Sequence, residues 1–191
     1  MERANKNKVK FNLKNVHYSA ITEGEAGAIT YGEPKKWPGA VSISLDPEGE
    51  TTTFHADGVA YYVTTSNNGY SGDFESAMVP DEFRTEILGE TLDENGVLSE
   101  NANVEAKAFA LLFEFDGDVN EVKHVFYNCK CTRPAIASVT NEETKEVQTE
   151  STTITATPRA DGVVKGKCSD STAAAFTKWY TKVIEPDATL S

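Results

Sequence analysis

The chain has 191 residues and a mass of 20.8 kDa, which is the size of a single compact domain. Apolar residues make up 39% of it and charged residues 25%, so a disordered, fibrous or collagen-like chain is excluded. The formal net charge of −12 argues against a nucleic-acid binder, because such proteins gain affinity by placing cations against phosphates.

The charge at the start of the chain has the opposite sign. Residues 1–14 hold five cations and one acid, a net charge of +4, whereas the rest of the chain is strongly acidic. We interpret residues 1–14 as a basic N-terminal arm. Two interpretations stay open, a solvated segment and an arm that docks on an acidic neighbour.

Turn signals dominate the sequence. Asp-Gly and Asn-Gly pairs supply the left-handed conformations of tight hairpin turns, and they occur at Asp57-Gly58, Asn68-Gly69, Asn95-Gly96, Asp116-Gly117 and Asp161-Gly162. Between them, runs rich in β-branched and aromatic residues predict strands over residues 9–21, 40–45, 51–56, 59–64, 74–79, 108–116, 122–132 and 151–157. The run before Asp116-Gly117 and the run after it alternate clearly, which predicts a hairpin at the centre of the sheet.

Two helices are expected beside the strands. Pro80, Asp81 and Glu82 form a good helix start, and Gly89 is a stop signal. A C-terminal helix is predicted over residues 171–184, and residues 139–150 are predicted to be an exposed loop or strand extension. The predicted fold class is therefore mainly β with minor α, in one domain spanning residues 1–191.

Membrane and metal signals are weak. The longest apolar run, residues 108–113, is far shorter than the roughly 20 residues of a spanning helix, and the alternation near the start is not that of a signal peptide. We therefore expect synthesis in the cytoplasm and no membrane contact. Cys129 and Cys131 are spaced to share one strand face, and with Cys168 they are predicted to be reduced and structural.

The sequence has no catalytic or cofactor motif with the required spacing. The calcium-loop-like start at Asp116 has Glu121 where a glycine is required. Residues 162–167 are one residue short of a phosphate-binding loop and are followed by Cys168, and residues 69–72 miss the nucleophile-elbow spacing. We therefore predict a protein that is not an enzyme and takes no cofactor or metal.

The histidines and the paired carboxylates leave alternatives open. His17, His55 and His124 are scattered, but they could converge in space on a metal or catalytic centre. Asp73 and Glu75 share a strand face as paired glycosidase carboxylates do, and so do Glu114 and Asp116. A solvated polar face explains both pairs more simply.

The segment from Asp46 to Gly72 is unusual in composition. It is rich in Thr, Tyr, Asn and Gly and poor in large aliphatic residues, so it can pair as a β-ribbon but can bury little. Strands with exposed edges pair readily with another chain. We therefore predict an extended assembly loop over residues 46–72.

Several long stretches resemble one known family, the major tail proteins (tail tube proteins) of long-tailed bacteriophages that infect Gram-positive bacteria. The resemblance covers nearly the whole chain. Its stretches are VKFNLKNVHYSAI, PGAVSISLDPEGETTTFHADGVAYYVTTSNNGYSGDFESAMVPDEFRTEILGE, FALLFEFDGD, HVFYNCKCTRP and ITATPRADGVVKGK.

The resemblance implies a β-sandwich or small barrel with one or two flanking helices, located in the tail of a virion. Six copies would close into a ring, and stacked rings would form a non-contractile tail tube. Its partners would be further copies, the tape measure protein, the tail terminator and baseplate proteins, with DNA in transient passage. The acidic composition fits such a conduit, because a negative channel repels phosphates.

Site residues follow from the same resemblance. The expected assembly residues are Asp46, Thr52, Tyr61, Asn68 and Tyr70, and the expected channel-lining residues are Glu75 and Glu114. Two other classes of function stay open. One is a monomeric carbohydrate-binding module in which Trp37, Tyr61, Tyr62 and Tyr70 stack on a sugar, and the other is a hydrolase using Asp73 and Glu75.

Overall fold

The computed structural model describes residues 7–24, 28–140 and 146–186, and these residues form thirteen strands and two short helices. In chain order the elements are β1 (Lys10–Glu23), β2 (Ile29–Tyr31), β3 (Lys35–Lys36), β4 (Ala40–Glu48), β5 (Thr51–Ala56), β6 (Val59–Thr65), β7 (Gly69–Ser76), α1 (Asp81–Glu86), β8 (Thr91–Leu92), β9 (Leu98–Ser99), β10 (Phe109–Gly117), β11 (Val122–Cys131), β12 (Glu150–Ala156), β13 (Lys165–Cys168) and α2 (Ala174–Thr177). The prediction of a mainly β protein is confirmed.

One antiparallel sheet organises the molecule. Its strand order is β2-β1-β10-β11-β12-β7-β4, with β3 paired to β1 and β13 paired to β11. The sheet curls until β1 and β4 lie against each other, although no ladder joins them in the described residues. Two bulges in β1, around Asn12 and Asn15, add to this curvature. The result is an incompletely closed barrel.

The β10–β11 hairpin lies at the centre of the sheet, as predicted. Its inner face packs into the main core through Phe109, Leu111 and Phe126. Its outer face carries Leu112 and Val125, which are covered by residues 179–184 of the C-terminal segment. Burial on both faces explains why residues 108–113 are continuously apolar instead of alternating.

An aromatic cluster forms the main core. Trp37 packs against Tyr18, Phe74 and Phe83, with ring centroids 6.2, 5.0 and 4.2 Å apart. Phe83 belongs to α1, which begins after Pro80 as the sequence predicts, and Gly89 follows with a φ of +73°. The cluster joins β1, β7 and α1 into one body, and edge-to-face pairs of this kind add to the hydrophobic contribution.

The eight predicted strands are all present, and all but β5 have at least one shifted end. The largest shift is in β7, which starts at Gly69, five residues before the predicted start. A side chain at Gly72 would overlap the Ser44 carbonyl oxygen of β4, so glycine there permits close pairing of the two strands. The short strands β2, β3, β8, β9 and β13 were not predicted, because none has a run long enough to show alternation.

The predicted turn at Asp116-Gly117 is wrong. Both residues end β10, and the connection to β11 is residues 118–121. The side chain of Asn7 explains the difference, because its oxygen accepts hydrogen bonds from the backbone N–H of Val119 and of Asn120. The loop is therefore held by a residue distant in sequence.

The predicted helix over residues 171–184 is also wrong, because α2 spans only Ala174–Thr177. Asp170 accepts hydrogen bonds from the N–H and hydroxyl of Thr172, which makes a local turn. Beyond α2, the Tyr180 hydroxyl donates to Glu114, and the Ile184 carbonyl accepts from the Tyr127 hydroxyl. These tertiary contacts need an irregular backbone, so they override the helical pattern.

Of the basic arm predicted over residues 1–14, residues 1–6 lie outside the described residues. Residues 10–14 are not an arm, since they belong to β1 and pair with β10. Lys14 forms ion pairs with Asp116 and Glu121 of its own chain. The acidic surface that Lys14 contacts therefore belongs to the same chain and not to a neighbouring molecule. In the predicted 139–150 loop, the described residues before Glu150 lie outside helices and strands.

Candidate functional site

Residues 51–65 form a two-stranded ribbon that consists of β5, the Asp57-Gly58 turn and β6. We call this ribbon the arm from here on; it is distinct from the basic N-terminal segment over residues 1–14. Asp57 and Gly58 have φ angles of +53° and +79°, as a two-residue hairpin turn requires. The arm continues outward from β4 and β7, and the N–H of Ser66 donates to the Glu50 carbonyl at its base. It is a separate sheet that pairs only with itself in the described residues.

The arm exposes apolar side chains on both faces. Phe54 lies opposite Tyr62 on one face, and Val63 lies on the other face opposite Thr53. The exposed fractions are 60% for Phe54, 72% for Tyr61 and 61% for Tyr62. An isolated two-stranded hairpin is marginally stable in water, and contiguous exposed apolar surface marks an interaction site. The arm therefore has the features of an interface element without its partner.

A polar face lies on the outer side of β4, β7 and β12, opposite the core. The strand register places side chains of one kind side by side: Ser42, Ser44, Asp46, Ser71, Asp73, Glu75, Ser151, Thr153 and Thr155. Glu75 accepts hydrogen bonds from the hydroxyls of Ser42 and Thr149, and Asp73 accepts one from Thr153. We call these nine residues the polar face. It has three carboxylates and no cation, and Lys130 stands at its border opposite Thr155.

The predicted assembly residues fall on three surfaces. Thr52 and Tyr61 lie on the arm, and Asn68 lies at its base, where its N–H donates to the Glu48 carbonyl. Asp46 lies on the polar face. Tyr70 is half-buried against Phe126 at the end of the barrel nearest the arm.

The two predicted channel-lining residues differ in position. Glu75 lies on the polar face, as its strand pattern indicated. Glu114 does not fit the prediction, because it is only 3% exposed. Its carboxylate accepts hydrogen bonds from Asn15 and Tyr180 at 2.7 and 3.0 Å. Alternation placed Glu114 on a polar face, but the C-terminal segment covers that side of β10.

We expect Glu114→Ala to lower the free energy of unfolding by about 1–3 kcal/mol, because it removes a buried carboxylate that accepts hydrogen bonds from Asn15 and Tyr180 and leaves a cavity beneath the C-terminal segment. Glu121→Ala is the matched control. Its carboxylate is far more exposed, so a change within about 0.5 kcal/mol is expected. Urea unfolding of both variants measures the difference. A loss within about 0.5 kcal/mol for Glu114→Ala would contradict this structural role.

A cavity of about 280 Å³ opens at the end of the barrel from which the arm leaves, and we call it the mouth. Its lining is mainly aromatic and aliphatic, with cations at the edge: Lys10, Ile43, Ser44, Leu45, Tyr70, Phe113, Phe115, His124, Phe126 and Lys165. The ammonium group of Lys165 lies 2.6 Å from the Tyr70 hydroxyl, and that of Lys10 lies 4.8 Å from the Phe115 ring centroid. The mouth is therefore a cavity rich in aromatic side chains, with lysines at its rim.

His124 is the histidine that lines the mouth. Its ring stacks on Phe113 at 5.3 Å and meets Phe115 edge-on. Burial lowers the pKa of His124 to about 4, and the charges of Lys167, Lys10 and Lys165 act in the same direction. The imidazole is therefore neutral at pH 7.

We expect His124 to contribute to acid sensitivity. Between pH 6.5 and about 4 the unfolded chain binds a proton at this residue and the folded chain does not, so stability falls as the pH is lowered through that window. His124→Phe removes this proton uptake and keeps an aromatic ring in place. The difference in Tm between pH 7 and pH 4.5 should be smaller for the variant. An unchanged difference would contradict this contribution.

The histidines and cysteines do not come together as a metal site in the described residues. His17 stacks on Tyr180, and the described residues hold no group of three side chains that could bind a metal ion. All three cysteines lie in the described part of the chain and are free, and Cys129 and Cys131 pack into the main core from one face of β11. Burial raises the pKa of Cys131 to about 12. The prediction of reduced, structural cysteines is consistent with these positions.

The four aromatic residues proposed for sugar stacking do not form one platform. Trp37 is 1% exposed in the core, and the ammonium group of Lys165 lies 4.1 Å from the Tyr70 ring centroid. Tyr61 and Tyr62 are on the arm. The hydrolase pair Asp73 and Glu75 lies on the polar face, hydrogen-bonded to hydroxyl groups.

Neither helix of the described ranges is long and apolar enough to cross a bilayer. Comparison with models of known protein families gives no match. Comparison with curated protein sequences gives no significant match.

Proposed function

We propose that this chain is a structural, self-assembling subunit of a bacteriophage tail tube, in which hexameric rings stack around a channel for the genome. The observation that carries the proposal is the arm, which has apolar side chains on both faces and buries them against nothing in the described monomer. A self-associating protein needs such a surface, because the contacts that order it come from another copy. The resemblance of the sequence to tail tube proteins supplies the kind of assembly.

The polar face is the surface that we assign to the channel. Asp46, Asp73 and Glu75 give it a negative charge, and the hydroxyl groups of Ser42 and Thr153 hold Glu75 and Asp73 in place without neutralising them. A negative wall repels DNA phosphates and favours their free passage. We therefore assign Asp46 to the channel lining, although the sequence predicted it to be an assembly residue. Glu114 is not assigned to the lining.

Sedimentation velocity over a range of concentrations tests self-assembly. A tube subunit forms rings and longer particles as the concentration rises, whereas a monomeric sugar-binding module stays near 20.8 kDa. Particles that grow with concentration would support the proposal. A single species of monomer size at every concentration would contradict it.

Charge reversal tests the channel assignment. We expect assembled particles carrying Asp73→Lys and Glu75→Lys to retain DNA fragments that wild-type particles release, and the effect should weaken at high salt. Glu94→Lys with Glu105→Lys is the matched control, because both residues are exposed and lie outside the polar face. Equal DNA retention by the two variants would contradict the assignment.

A further inference from the structure

The chain carries its charge unevenly between the arm and the mouth. No Lys or Arg occurs between Lys36 and Arg84, a stretch that includes the arm, and acids flank the arm at Asp46, Glu48 and Glu50 and occupy its tip at Asp57. Lys10 and Lys165 stand at the rim of the mouth, with Lys167 nearby. In a chain with a net charge of −12, this positive rim is complementary to the arm.

Aromatic side chains occur on both the arm and the mouth. The arm presents Phe54, Tyr61 and Tyr62, which are exposed. The mouth offers an aromatic lining that includes Phe113 and Phe115, in a cavity of about 280 Å³, large enough for one or two aromatic side chains. Aromatic anchors that fill a desolvated pocket dominate the energy of protein interfaces.

The arm of the same chain does not occupy its own mouth. Leu45 and Tyr70 line the mouth, and three residues further along β4 the Glu48–Gly69 pair begins the path outward into the arm. Beyond this point the arm is exposed on both faces and pairs only with itself in the described residues. The occupant must therefore come from a second molecule.

We propose that the mouth is the docking site for the arm of a second copy of this chain. This inference rests on the proposed function, since it names the surface that receives the arm. The contact joins two different surfaces, so it is heterologous and either closes into a ring or continues as a filament.

A complementation experiment tests the docking. One variant, the arm donor, keeps its arm and carries Lys10→Glu and Lys165→Glu at the mouth. The other variant, the mouth donor, keeps its mouth and has residues 51–65 replaced by Asn-Gly, a two-residue turn that fits between the paired Glu50 and Ser66. Each variant alone is expected to be monomeric, and an equimolar mixture is expected to form a heterodimer and nothing larger, measured by light scattering after size-exclusion chromatography.

The matched control for the arm donor carries Lys36→Glu and Lys182→Glu, which change the net charge equally at two exposed lysines away from the mouth. This control should assemble as the wild type does. The mouth reversals placed in the mouth donor should weaken heterodimer formation by at least about tenfold. The retained Tm of each variant shows that its fold is intact.

Each outcome bears on one of the two proposals. Docking in the mouth would be contradicted if no heterodimer formed or if the arm donor assembled like its control. If the wild-type protein still formed particles under the same conditions, that result would contradict the docking and not the proposed function. A heterodimer together with a wild-type protein that stops at closed dimers would support the docking and overturn the tube.

Discussion

Replacing residues 51–65 with an Asn-Gly turn is expected to abolish assembly and to leave the fold intact. The arm forms its own two-stranded sheet, and its large side chains are exposed, so the barrel core loses no contact. The Tm should stay within about 2 °C of the wild-type value, because the change in stability is well below 1 kcal/mol. Sedimentation velocity should show only monomer at concentrations where the wild type forms larger particles.

Side-chain substitutions separate the apolar faces of the arm from its backbone. Phe54→Ser with Tyr62→Ser removes one apolar face and should prevent assembly as fully as the deletion does. Thr65→Ser is the matched control, because it keeps a hydroxyl group on the same ribbon, and it should assemble normally. Normal assembly of the deletion variant would show that the arm is not an interface.

Trp37→Ala is expected to have the largest effect on stability, a loss of about 3–5 kcal/mol. The indole is 1% exposed and packs against Tyr18, Phe74 and Phe83, so its removal leaves a cavity where three elements meet. In a chain of this length such a loss lowers the Tm by roughly 6–20 °C. Thermal unfolding followed by near-ultraviolet circular dichroism measures it.

Trp37→Phe is the matched control for that substitution. The indole N–H has no hydrogen-bond partner among the described residues, so phenylalanine loses volume but no hydrogen bond. We expect it to retain more than half of the lost stability. A Trp37→Ala protein with wild-type Tm would contradict the placement of this residue in the core, and would reopen a surface role for its ring.

The strand pattern could be predicted from the sequence because the long strands have strong local signals. The arm is the clearest case, since Asp57-Gly58 fixes a two-residue turn and the runs on either side are rich in threonine and aromatic residues. The central hairpin was also evident, because its long apolar run allows only a buried strand or helix, and its alternation favours the strand.

The positions of the polar groups could not be predicted in the same way. Alternation assigned Glu114 to a polar face, and only the fold shows that Tyr180 and Asn15 enclose it. The polar face likewise depends on the register of β4, β7 and β12, which places Asp73 beside Ser44 and Thr153. Pairings between distant strands are set by tertiary packing and leave little trace in a local pattern.

The mouth had no signal in the sequence at all. Its lysines stand on β1 and β13, which are 155 positions apart at Lys10 and Lys165, and β13 itself lacks strand-like alternation. The mouth exists because the sheet curls until β1 approaches β4. A cavity formed by curvature follows from the whole topology and from no single segment.

Electron cryomicroscopy of particles grown from the purified protein is the most direct test of a tube built from this chain. We expect hollow particles of uniform width with sixfold rings, the polar face with Asp73 and Glu75 around the channel, and each arm in contact with a neighbouring copy. Particles without a channel, or a channel lined by Lys10 and Lys165 while the arms point freely into solvent, would contradict it.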